Sequence, residues 1–265
     1  MSSTLDLKQL ATEIMNAYAT RTLTPSPSSR DAAFNMADAY AVESELVRRR
    51  QAAGRTTTGL KVGYANKAMW RALKLETLVW AHMYDDTVVF SSGEASLSIE
   101  RMVAPKIEPE IVFKVREPIA GADPAAILAG VEWVAPGFEI IDCVFPDWQF
   151  QPVDFVAAYG LHAALVIGQP RPVTAEIIPT LAEQLPKFKL VLSRNGDLVE
   201  EGSGKNSLRS PALCLGELAR VSSLRPGDLV SSGTLTTPTP IAKGEEWKAS
   251  LEGLDLPNLT LRLTV

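Results

Sequence analysis

Apolar residues recur at helical spacing through roughly the first fifty positions, then give way to strand-like alternation. Leu7, Leu10, Ile14 and either Ala17 or Tyr18 fall on one face of a helix predicted over 5–20. After a Pro/Ser-rich loop at 22–30, a second helix is predicted from about Asn35 to Ala53, with Met36, Tyr40 and Val47 on one stripe and Gly54 as its stop. "GLKVGY" (59–64) reads as a short strand, with Leu60 and Val62 facing one way and Lys61 the other. Asn66 caps a short helix through Leu73. The region 75–103 has an irregular pattern, with pieces of strand and a loop at Ser91-Ser92-Gly93.

Alternation returns in "APKIEPEIVFKV" (104–115), which reads as a strand. "DPAAILAGVEWV" opens a predicted helix with Asp123 at the N-cap and Pro124 at the first helical position. Strands are predicted at 137–145 and 161–168, with a short helix in "PVDFVAAYG" between them. "KFKLVLSRNGDLVEEGSG" is a hairpin turned by Asn195-Gly196 in the type I′ manner. A helix over Pro211–Arg220, a turn at Pro226-Gly227 followed by a strand, and two C-terminal strands complete the chain. This order predicts an α+β fold, with a helical N-terminal region (1–55) layered on a strand-rich domain (56–265) in one compact unit.

Composition narrows the classes of function. A chain of 265 residues that is 46% hydrophobic can bury a large core. A net charge of −5 without a dominant basic tract argues against nucleic-acid binding, and Arg48-Arg49-Arg50 reads as the cationic end of a helix. Cys143 and Cys214 are far apart in apolar settings and read as reduced packing residues. The N-terminus lacks the pattern of a signal peptide, and no apolar run approaches the roughly 20 residues of a membrane span. The expectation is a cytoplasmic protein that binds neither membrane nor nucleic acid.

The chemistry concentrates in acidic residues placed inside apolar strands. Glu108 and Glu110 are two apart and share a strand face, while Ile107, Ile111 and Phe113 take the other. Like charges about 7 Å apart on a partly buried face raise each other's pKa, and a hard divalent cation resolves the conflict. An edge strand with a solvated face is the competing reading, and Pro109, which cannot donate to a ladder, is consistent with it. Glu139 in "PGFEIID" repeats the anomaly in a second strand, whereas Asp142, three positions on, points to the opposite face. Lys61, bracketed by Gly59 and Gly63, is a lone lysine in an apolar strand; beside a cation and apolar walls its pKa falls and it serves as a base.

The blocks "GLKVGYANKAMW", "PKIEPEI", "GFEIID" and "LRPGDLVSSGTLTTPTPIAKGE" resemble, in this order and over most of the chain, the fumarylacetoacetate hydrolase superfamily. The branch they most resemble contains 2-oxopent-4-enoate hydratases and 4-oxalocrotonate decarboxylases. The resemblance implies a mixed β-roll and assembly as a homo-oligomer, with association to a pathway partner enzyme also open. It implies Mg²⁺ or Mn²⁺ held by Glu108, Glu110 and Glu139, catalysis by Lys61, and contact with a 2-oxo acid substrate by Ser232, Gly233 and above all Thr234. Hydration, decarboxylation and C–C hydrolysis all fit such a site, and a non-catalytic 2-oxo-acid binder or scaffold subunit is the alternative of another class.

The chain also departs from that pattern. An aspartate common in the block before the E-x-E strand is replaced near Val79, with Glu76, His82, Asp85 and Asp86 as nearby substitutes. An Asp-Asn pair gives way to "VAAYGLHAAL", where Tyr159 or His162 stands instead. Of the two histidines, His82 is the favoured catalytic base. Trp70, Trp80, Trp133 and Trp148 are either core or walls that set specificity.

Overall fold

Helix α1 (Leu7–Thr20) starts where Asp6 accepts hydrogen bonds from the amides of Lys8 and Gln9. The computed structural model describes residues 3–265. A one-turn helix α2 (Pro27–Arg30) lies within the Pro/Ser segment, and α3 (Met36–Ala52) is opened by a capping box of Asn35 and Asp38. The buried face of α3 is Ala39, Val42, Glu43 and Leu46, displaced from the predicted stripe; Met36 and Tyr40 are only partly buried at its margin. Together with Leu10, Ala11 and Ile14 of α1, these residues cover Val144, Phe145, Phe155 and Val156. The N-terminal helices therefore share a core with the segment that follows Glu139.

The strand-rich remainder begins with β1 (Thr57–Gly63), α4 (Lys67–Leu73), β2 (Val79–Tyr84), β3 (Val88–Phe90) and β4 (Glu94–Ser98). It continues through β5 (Lys106–Val115), α5 (Pro124–Ala129), β6 (Val131–Ile141), α6 (Pro152–Ala157), β7 (His162–Ile167) and β8 (Arg171–Pro172). Next come α7 (Ile178–Gln184), β9 (Lys189–Arg194), β10 (Asp197–Ser203) and α8 (Pro211–Val221). The chain closes with β11 (Leu229–Ser231), β12 (Thr239–Pro240), β13 (Glu246–Glu252) and β14 (Leu259–Thr264). Among the described residues these form a large mixed sheet ordered β2-β1-β11-β5-β6-β7-β3, flanked by β12 and β8, and a second sheet ordered β10-β9-β13-β14-β4.

The main core fills the space between the sheets. Ile107, Ile111, Phe113 and Phe138 of the large sheet meet Leu190, Leu192, Trp247 and Leu261 of the smaller one. Each of those four large-sheet side chains is fully buried and contributes about 1.5–3 kcal/mol. The alternation in β5 thus has its physical cause: odd positions enter this core, and Glu108 and Glu110 take the other face. The Asn195-Gly196 turn is as predicted, with both residues at positive φ (53° and 91°).

Two expectations from the pattern are corrected. β5 is central, paired antiparallel with β6 on one side and with β11 and β12 on the other. Pro109 is tolerated because its carbonyl, and hence its missing N–H, faces the interruption between β11 and β12, where Leu235 N donates to Pro109 O. The helix opened by Asp123 stops at Gly130, and "VEWV" belongs to β6. Pairing of Val131–Trp133 with β5 outweighs the local helical pattern.

Candidate metal centre

Strand pairing assembles the site. Glu108 on β5 lies directly opposite Glu139 on β6, and Glu110 follows two positions along the same face. One oxygen from each of the three carboxylates lies within 4.8 Å of the others. Glu108, Glu110 and Glu139 are 8%, 1% and 0% exposed, so water does little to screen them. At such separations each pair of ionised carboxylates repels by roughly 3–4 kcal/mol at an effective dielectric constant near 20. Lys61 on β1, itself 1% exposed, brings Nζ to 3.0 Å from Glu139 Oε2. Three carboxylates and one ammonium leave two negative charges, which a single divalent cation balances.

The hydrogen bonds leave Glu110 with an unpartnered oxygen. Glu110 Oε2 accepts from Ser231 Oγ and from Gly233 N at 2.9 Å, while Oε1 has no partner among the described residues. Glu139 Oε1 is 2.8 Å from His162 Nδ1, and Oε2 faces Lys61 Nζ. An orphaned buried oxygen such as Glu110 Oε1 is costly, and an all-oxygen set of this kind suits Mg²⁺ or Mn²⁺. The residues present therefore fit a hard divalent cation.

Protonation equilibria report the same conflict. Burial pushes Glu108 up to about 7, with Lys61 opposing and Glu139 reinforcing the shift. Burial, together with Glu139 and Glu108, drives Glu110 well above the usual carboxylate range. Burial also acts to raise Glu139, but Lys61 and His162 outweigh it and hold that carboxyl low. For Lys61, burial pulls downward and the three carboxylates pull harder, leaving it above the ordinary lysine value. The lowering expected from sequence is thus reversed, because the attraction of the neighbouring carboxylates exceeds the cost of burying the ammonium.

The backbone around Lys61 is unusual. Tyr159, Gly160 and Leu161 all have φ near +60°, and this left-handed turn aims the Gly160 carbonyl at Lys61 Nζ, 2.9 Å away. A Cβ on Gly160 would lie 2.8 Å from Lys61 Cδ and 2.9 Å from Ala81 Cβ. Lys61 Nζ also sits over the Phe155 ring at 4.8 Å. The flanking glycines serve protein contacts: Gly59 meets the Leu229 backbone, and Gly63 the Phe155 ring.

A cavity of about 600 Å³ opens on this cluster. Lys61, Glu108, Gly233 and Thr234 line it, together with Lys106, Trp148, Phe155, Glu200 and Asn206. Ser232 is instead fully buried, donating to Ile111 O and accepting from Ser207 Oγ through its carbonyl. Thr234 Oγ1 donates to Thr236 O, which fixes the loop that crosses the cavity wall.

His82 lies elsewhere. Its Nδ1 is 2.7 Å from Glu43 Oε1 on α3, its ring meets Trp80 edge-on, and it does not line the cavity. Val79 is buried among the N-terminal helices, Asp86 pairs with Arg50 and Arg55, and Asp85 accepts from Thr56 N. None of the substitutes near Val79 joins the carboxylate cluster; His162 does. Of Trp70, Trp80, Trp133 and Trp148, the last reaches the cavity, where Lys106 Nζ lies 3.8 Å from its ring centroid. Asp142 faces away, as expected, and accepts from Val103 N and Ala104 N. Both cysteines are buried free thiols.

Sequence reasoning missed Ser231, Gly160 and Thr87. The serine carried a signal, since Lys61 and Val112 both lie opposite it in the sheet, but that register depends on distant pairing.

Several known proteins resemble this chain over most of its length. A 2-hydroxypent-2,4-dienoate hydratase from Pseudomonas putida is 29% identical over 221 residues, covering 83% of this chain and 96% of the relative. A 4-oxalocrotonate decarboxylase from Pseudomonas sp. (strain CF600) is 28% identical, covering 82% of each. The structure of 4-oxalocrotonate decarboxylase from Pseudomonas putida G7, complexed with magnesium and adipate, superposes with a TM-score of 0.87 at 26% identity, over 99% of this chain and 100% of that one. Fumarylpyruvate hydrolase from Pseudomonas aeruginosa, at 20% identity and a TM-score of 0.59 over 78% and 88% of the two chains, shares the fold. Residues 58–262 match the model for the fumarylacetoacetate (FAA) hydrolase C-terminal domain, and the chain belongs to that family.

Proposed function

We propose that this protein is a divalent-cation-dependent lyase of 2-oxo acids that hydrates a 2-oxo-4-enoate. The observation that carries the reading is the buried set of Glu108, Glu110 and Glu139 beside Lys61, with Glu110 Oε1 left unpartnered. The three glutamates would hold Mg²⁺ or Mn²⁺, which when bound supplies Lewis-acid polarisation of the substrate's 2-oxo group. Lys61 Nζ, held by Gly160 O and Glu139, moves the proton at the carbon next to that group. Gly233 and Thr234 form the facing wall and orient the substrate, while Ser232 supports them from behind. The apolar surfaces of Phe155 and Trp148 exclude water from its chain.

Decarboxylation is the second reading, favoured by the near-complete structural match to a 4-oxalocrotonate decarboxylase. Hydration and decarboxylation of such acids both belong to the breakdown of aromatic compounds. Exposed Val89 and Phe90 on edge strand β3 support assembly as a homo-oligomer. Among the described residues no helix is long and apolar enough to cross a membrane, in keeping with a cytoplasmic enzyme.

The test is turnover of a panel of 2-oxo acids with Mg²⁺ and Mn²⁺, with products identified. Hydration adds water, and decarboxylation releases CO₂. Cation-dependent turnover that Glu108→Gln abolishes supports the reading. No turnover of any member, with or without cation, would return the chain to the non-catalytic alternative.

A further inference from the structure

His162 is the buried first residue of β7, delivered by the left-handed turn at Tyr159–Leu161. Its ring is held at both nitrogens: Nδ1 is 2.8 Å from Glu139 Oε1, and Nε2 is 2.9 Å from Thr87 Oγ1. An ionised carboxylate only accepts, so Nδ1 carries the hydrogen in the first of these bonds. Thr87 is fixed in turn, because its hydroxyl sits 3.0 Å from Tyr84 O and 3.2 Å from Tyr84 N at the turn joining β2 to β3. A chain of contacts thus runs from the sheet edge to Glu139.

The restraint on the three carboxylates is uneven. Glu110 is held through Oε2 by Ser231 and Gly233, which leaves Oε1 free. Glu139 is held through Oε1 by His162 and turns Oε2 toward Lys61 Nζ, 3.0 Å away. Without the imidazole, the Glu139 carboxylate could rotate and pair both oxygens with Lys61. Both oxygens would then face the ammonium, leaving neither in place for a cation.

We propose that His162, backed by Thr87, is a positioning residue that fixes the Glu139 carboxylate so that Oε2 is presented to a divalent cation. The inference rests on reading the cluster as a cation centre, and it adds a residue that touches neither the cation nor the cavity. Partners of this kind typically change metal affinity 10–100-fold when lost.

The experiment is a Mn²⁺ titration of the full chain, followed by the electron paramagnetic resonance signal of free Mn²⁺. It compares the wild type with His162→Leu, His162→Asn and Thr87→Val. His162→Leu weakens binding by about 10–100-fold. His162→Asn, whose amide nitrogen can replace Nδ1 against Glu139, retains most of the affinity. Thr87→Val gives a smaller loss in the same direction. A purely structural role would make Leu and Asn lose affinity alike, and that result, or unchanged affinity in His162→Leu, overturns the proposal. Should His162→Leu fail to fold, unchanged affinity in Thr87→Val overturns it instead. If the wild type binds no Mn²⁺, the cation reading itself fails and this inference falls with it, an outcome distinct from a wild type that binds and variants that match it.

Discussion

Replacing Gly160 with alanine tests how Lys61 is positioned. Two costs follow from the geometry. Gly160 has φ of +60°, where a side chain costs about 1–2 kcal/mol. The added Cβ would stand 2.8 Å from Lys61 Cδ and 2.9 Å from Ala81 Cβ, and overpacking of this kind costs about 1–3 kcal/mol. Their sum lowers the melting temperature by roughly 5–15 °C for a chain of this size. The functional effect is separable. Ala81 is fixed in β2, so the Lys61 stem must yield, and a shift near 1 Å in a catalytic group costs about 100-fold in rate. The assay is kcat on a 2-oxo-4-enoate at saturating Mg²⁺, alongside thermal melting by circular dichroism. Gly196→Ala is the control: φ there is +91° with nothing within 4 Å of the new Cβ, so it loses stability without losing kcat. A Gly160→Ala enzyme that melts lower yet retains wild-type kcat would refute the role given to this turn.

Stability of the ion-free protein should fall as pH rises. Glu108 binds its proton more tightly folded (about 7) than at the usual 4.5, so the folded state holds the extra proton between these values, and about 3 kcal/mol is lost as pH climbs through them. Glu110 shifts in the same direction. Melting in EDTA, compared with Glu108→Gln, checks this; a wild type that gains stability relative to that variant over the window contradicts it. Added Mn²⁺ should restore stability most at the alkaline end, where the carboxylates are ionised. Lys61→Met should lose at least about 100-fold in kcat, whereas His82→Gln, outside the cavity, should turn over like the wild type; the reverse order would restore His82 as the base. Asp142→Ala strips the acceptor from Val103 N and Ala104 N and should cost about 2–4 kcal/mol, read as a lower midpoint in urea denaturation with substrate KM unchanged.

What was legible in the sequence follows a physical division. Period-two alternation in β5 records which side chains enter the core, so the shared face of Glu108 and Glu110 could be read locally. The same held for Lys61 opposite Leu60 and Val62, and for the Asn195-Gly196 turn. Pro109 misled because its tolerance depends on residues 232–238, more than a hundred positions away, where β11 breaks off before β12 begins. The helix after Asp123 was overextended because partners of Val131–Trp133 lie on β5. His82 and His162 looked alike as isolated imidazoles. Only the register of β7 on β6, with the turn at Tyr159–Leu161, sets one beside Glu139 and leaves the other beside Glu43. That turn had no signal of its own, since Tyr159 and Leu161 are poor residues for positive φ.

The central claim is that Glu108, Glu110 and Glu139 share one divalent cation. Anomalous diffraction from a crystal of the wild-type protein grown with Mn²⁺ tests it most directly. The account predicts a single strong peak per chain within bonding distance of oxygens from all three glutamates, lost in Glu110→Gln. A crystal with Mn²⁺ in the solvent and no peak at that position would contradict it.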